Sequence, residues 1–138
     1  MSTLIPTLIP TLRIFVLGIV ALGLLSSVAV FAGSDDEKSA TYQMAEIMHR
    51  LKHYPSPAGK EVLNKITQAA NTTANERTIA TAMVNLQHKV VSSDIPKLEA
   101  VIADKKATVH ERELASIVLS LDHRPTKQDK TKLKAMMQ

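Results

Sequence analysis

Thr73 to His88 reads TANERTIATAMVNLQH, and Thr108 to His123 reads TVHERELASIVLSLDH. The two stretches lie 35 residues apart and align without a gap. Lys38 to His53, KSATYQMAEIMHRLKH, keeps the same register one interval earlier. His53, His88 and His123 coincide, as do Leu51, Leu86 and Leu121, and Ala45, Ala80 and Ala115. Further on, Leu63, Leu98 and Leu133 coincide too. Other positions keep their type: Met44 with Ile79 and Leu114, Met48 with Met83 and Val118, Ile66 with Val101 and Met136. A fixed period of this length is the mark of a repeat architecture. The repeats span 38–72, 73–107 and a shorter 108–138.

Within each repeat the apolar spacing is helical. Ile79, Ala82, Met83 and Leu86 fall at i, i+3, i+4 and i+7, and Met44 and Leu114 begin the same pattern in the flanking repeats. This predicts a first helix, A. Thr73 with Glu76, and Thr108 with Glu111, have the spacing of capping boxes. Each is expected to contribute about 1 kcal/mol, independently of the other. The first repeat lacks the box, and Ser39, or Ser34 with Glu37, is the candidate cap. Pro55 and Pro125 stand just past the recurring histidine, where a helix cannot continue. A second helix, B, follows. Its expected caps are Ser56, Thr126 and, in the middle repeat, Ser93 with Pro96. Its apolar faces are Val62, Leu63 and Ile66, then Leu98, Val101 and Ile102, then Leu133, Met136 and Met137.

The expected fold is therefore all-α: three αα-hairpins, each too small to bury its own stripe, stacked on one another. The period suits a short right-handed solenoid of tetratricopeptide-like or HEAT-like geometry, although the Trp, Tyr and Phe signature of the former is absent. A closed helical bundle is the alternative.

Ahead of the repeats, residues 1–32 read as a targeting segment. Arg13 is its only charge, and Ile14 to Leu25 (IFVLGIVALGLL) is an unbroken apolar run. Val30 and Ala32 fit the −3 and −1 positions of a signal-peptidase site. An uncleaved membrane anchor is the competing reading, since Ile14 to Ala32 is close to the length of a span. Either way the repeats are expected outside the cytoplasm, periplasmic or extracellular.

All 13 acidic residues and all but one of the 17 Lys and Arg lie after residue 32. With so mild a basic surplus, and with only Tyr42 and Tyr54 as aromatics there, the chain lacks the stacking residues and charge density of a nucleic-acid binder. The absence of cysteine excludes disulfides, thiolate metal sites and a cysteine nucleophile. No Walker loop, G-x-S-x-G or H-E-x-x-H is present. Acidic residues are expected scattered on exposed faces. No enzyme and no cofactor are expected.

The recurring histidine stands where helix A should end. The expected role is structural: the imidazole donates to the last free carbonyls and is favoured by the helix dipole. In an open row of helices about 8–10 Å apart, three such histidines do not converge on one tetrahedral centre. A metal reading rests instead on His49 and His53, at i, i+4 on the first helix A, together with His88. Met44 and Met48 near that face would suit copper or zinc handling in an exported protein. Lys127, Lys130, Lys132 and Lys134 offer a basic C-terminal helix to an anionic membrane surface. The first functional expectation is an interaction module that binds another protein across one face of the repeats. Small-scale metal binding is the second.

Overall fold

The computed structural model describes residues 38–138, so the leader lies outside the described residues. Six helices and no strand occur among them: α1 (Ala40–His49), α2 (Pro57–Gln68), α3 (Ala74–Val84), α4 (Ile95–Ala103), α5 (Val109–Leu119) and α6 (Lys127–Ala135). The odd-numbered helices are the predicted A helices and the even-numbered ones the B helices. None is long and apolar enough to cross a membrane.

The ends of the helices follow from side-chain chemistry. Thr73 and Thr108 form complete capping boxes with Glu76 and Glu111. A third box joins Thr126 to Asp129 at α6. Ser39 caps α1 by accepting from the Tyr42 amide at 3.1 Å, and Ser56 caps α2 through the Gly59 amide at 3.1 Å. The middle repeat departs from expectation. Val91 occupies the place of Ser56 and Thr126, so no hydroxyl is available there. The helix starts late, after Asp94, whose side chain makes no capping bond. Ser93 is not the cap.

Helices α1, α3 and α5 are all in mutual contact. Each B helix lies more heavily against the next repeat's A helix than against its own: α2 on α3, and α4 on α5. The third such contact is α6 on α1. In an open stack the first and last repeats would be apart. Here α1 touches both α5 and α6, so the array turns back on itself. This corrects the solenoid expectation in favour of the closed arrangement.

The core is built from the recurring apolar positions. Met44, Ile79, Leu114, Leu63, Leu98 and Leu133 are fully buried. Ala45, Ala80 and Ala115 are also fully buried, one in each inner helix. A small residue at this place suits three helices that must all approach one another, since a larger one would force them apart.

Candidate functional site

Helices α1, α3 and α5 end alike. The amides of the capping residues Arg50, Asn85 and Ser120 return to the carbonyls of Glu46, Thr81 and Ser116 at 3.2, 3.2 and 3.0 Å. The next residues, Leu51, Leu86 and Leu121, close one tighter turn onto Met48, Met83 and Val118 at 3.1, 3.3 and 3.3 Å. These leucines are buried, and two residues past each histidine lies buried Pro55, half-buried Val90 or buried Pro125. Each histidine is thus carried on a short loop pinned into the core on both sides.

The histidines do not terminate the helices. They stand three residues beyond the caps, with exposed rings. Because the array is closed, the three loops meet. The ring centroids of His53 and His88 are 5.3 Å apart, those of His88 and His123 5.1 Å, and those of His53 and His123 5.9 Å. All three pairs are edge-to-face, with interplanar angles of 63°, 63° and 81°. Tyr54 adds a fourth ring, 6.4 Å from His88. The expectation that three histidines cannot converge fails with the open row on which it rested.

Two of the loops carry unusual backbone. His88 has φ 68° and His123 φ 64°. This left-handed region is comfortable for glycine and costly for most other residues. At His123 it is the centre of a three-residue turn, with the Arg124 amide donating to the Asp122 carbonyl at 2.8 Å. The His123 amide donates to the His88 carbonyl at 2.8 Å, tying the second loop to the third. Asp122 Oδ1 lies 2.7 Å from His123 Nδ1 and 3.5 Å from Lys89 Nζ. The bond to His123, then the charge of Lys89, holds the Asp122 carboxyl below the usual carboxylate range.

His49 is not part of this group. It lines a separate cleft with Tyr42, Lys134 and Met137, between α1 and the C-terminal end of the chain. Met44 and Met48 are fully buried core residues and have no surface to offer a metal. Of the residues proposed for a metal from sequence, only His53 and His88 come together, and His123 joins them.

A larger cleft, about 910 Å³, opens beside the histidines between α1 and α2. Ile47, Pro55, Val62 and Tyr54 supply its apolar lining, and Lys38, Arg50 and Lys52 its basic rim. Tyr54 is 61% exposed, the largest exposed apolar side chain among the described residues. Glu46 is the acid of this rim and is already paired with Arg50 at 2.8 Å and Lys38 at 3.5 Å. Gly59 forms part of the floor, where the other repeats have Asp94 and Asp129. A Cβ at Gly59 would come within 3.3 Å of Ser56 Oγ and 3.5 Å of Ile47 Cγ2, so the position is closely packed between the two walls.

At the opposite end the acidic residues are organised, not scattered. Glu111, 3% exposed, accepts from the Thr108 amide at 2.6 Å through one oxygen and from the Thr73 hydroxyl at 2.5 Å through the other. Glu76 does the same for the Thr73 amide at 2.9 Å and the Thr41 hydroxyl at 3.0 Å. Each box therefore also clasps the preceding repeat. Burial pushes the Glu111 carboxyl up, but the bonds from Thr73 and Thr108 outweigh it and leave the group below its ordinary value. Back at the histidine end, Asp94 at the start of α4, 1% exposed, is likewise pushed up by burial and brought below its ordinary value by Asn85 and Lys97, each at 2.8 Å. These partners are structural.

Comparison with family models, with curated proteins and with solved structures finds no match for this chain.

Proposed function

We propose that this chain is an exported, non-enzymatic binding protein whose working surface is the cleft between α1 and α2. The observation that supports this reading is the cleft itself: an apolar trough with exposed Tyr54 at its edge, found at the one repeat of three that has glycine at this position. Its occupant is a protein segment with an apolar anchor flanked by acidic residues. Lys38 and Arg50 share the single anion Glu46, and Lys52 adds a third cation, so the rim keeps a positive surplus that favours negative charge in the partner. Aromatic side chains at the edge of an apolar trough are frequent anchors of such interfaces.

A photocrosslinking residue at position 54 tests this. Its product should map to an acidic partner segment. Lys52→Glu should weaken the complex and raised salt should weaken it further, because exposed charges are screened. Capture that persists in Lys52→Glu, or product mapping to neutral segments, would overturn the reading. So would an association with anionic vesicles that depends on Lys127, Lys130, Lys132 and Lys134 of α6 and leaves Tyr54 uninvolved.

A further inference from the structure

The structure assigns to His53, His88 and His123 a three-imidazole site for a divalent first-row transition ion, at the end of the bundle where the three loops meet. The site adjoins the cleft, which His53 also lines, but its three ligands do not require the cleft to be occupied.

The separations fit. An imidazole nitrogen binds Zn²⁺ at about 2.0–2.1 Å, which puts the ring centroid about 3.2 Å from the ion. At the tetrahedral angle, two such centroids are about 5.2 Å apart. The three observed separations are 5.1, 5.3 and 5.9 Å. Three loops from different repeats therefore place three rings at the mutual spacing a metal would impose. The nitrogens are not yet turned to a common point, and no trio of metal-ligating side chains stands in finished geometry among the described residues. What remains is rotation about Cβ–Cγ, a broad torsion in histidine. The rings are exposed, while the loops beneath them are fixed by the buried leucines.

Two further features point to a ligand. Asp122 holds His123 through Nδ1 and leaves Nε2 for an ion, the carboxylate–imidazole arrangement found behind metal-bound histidines. The left-handed backbone at His88 and His123 gives up the ease that glycine would bring at two equivalent places. Strain at matching sites, each carrying the same ionisable side chain into one cluster, is a reason to look for function there. Imidazole donors without thiolates suit Zn²⁺, Co²⁺, Ni²⁺ or Cu²⁺. Three protein ligands would leave one position to water. Lys52, Lys89 and Arg124 flank the histidines in sequence. Lys89 is partly neutralised by Asp122, and the other two oppose a cation, so affinity below that of a buried site is expected.

The test is titration of the purified chain with Zn²⁺ alone against a competing chelator dye, and with Co²⁺ followed by its visible absorption. The expected result is one equivalent bound with micromolar affinity, and Co²⁺ bands of the intensity typical of four-coordination. His53→Asn, His88→Asn and His123→Asn should each abolish binding, since asparagine tolerates the left-handed backbone. Asp122→Asn should weaken it about 10-fold to 100-fold. His49→Asn and His110→Asn should change nothing. Circular dichroism and urea midpoints of each variant separate loss of ligand from loss of fold. Absence of micromolar binding overturns the assignment. So does binding that survives any one of the three loop variants, or that is lost with His49.

Discussion

The two ends of this bundle are made from the same repeat and treated in opposite ways. At the end where α3 and α5 begin, each carboxylate serves its own helix and the preceding repeat at once. Every buried polar side-chain atom among the described residues has a partner. At the other end, three imidazoles lie exposed on loops, two of them over left-handed backbone. One end spends its polar groups on joining repeats, and the other keeps them available. Strain collects at the second end together with both sites proposed above, as expected where a fold is stable enough to hold an unfavourable local geometry.

The largest effect should come from the core that both ends share. Leu86 is 1% exposed and anchors the middle histidine loop. Leu86→Ala should cost about 2–5 kcal/mol by urea denaturation. A loss under about 1 kcal/mol, the scale of surface changes, would mean that the loops are not anchored in the core and that the contrast between the ends has another source.

Next in size are the clasps. Thr73→Ala and Thr108→Ala should each cost about 0.5–2 kcal/mol. Read from sequence, these boxes are independent. In the structure both threonines serve Glu111, so the double variant should depart from additivity by about 0.5 kcal/mol or more. Thr126→Ala, which shares no partner with them, should combine additively with either. Glu111 makes this end acid-sensitive, and Asp94, beside the α3 cap Asn85, does the same at the histidine end. Their folded carboxyls lie below the ordinary values. The unfolded chain therefore takes up protons first, and their contribution is complete above about pH 4.3. It is lost as pH falls through the lower folded values. Urea midpoints measured down through this range should fall less steeply in Glu111→Gln.

The smallest effect has the opposite sign. His88→Gly and His123→Gly relieve the left-handed backbone and should leave stability unchanged or raise it by up to about 1 kcal/mol. A loss greater than that would show that the rings hold the fold together, and the two ends would then be alike.

The helices, the three-part register and most of the core were legible in the sequence, because apolar spacing and capping chemistry are local. Closure was not, because it depends on α6 lying against α1, and no local pattern reports which distant faces meet. The misreading of the histidines followed from that. In a row, equivalent side chains form a line; around an axis, they form a point. The three identical residues at one interval were in view, and taking up the closed alternative would have brought them together. The cleft left a fainter sign, Gly59 at the position of Asp94 and Asp129. Glu111 was seen as a capping residue, but its second partner lies in another repeat and has no sequence signature.

Closure also fixes a number. An open array can gain or lose a unit by duplication, because each unit meets only its neighbours and the ends stay ends. Here the first and last units are neighbours. A fourth copy would have to enter a circle that is already complete, widening it until the inner helices parted and the histidines with them. Lineages of this chain should therefore vary in the loops and on the outer faces of α2, α4 and α6, and keep three units.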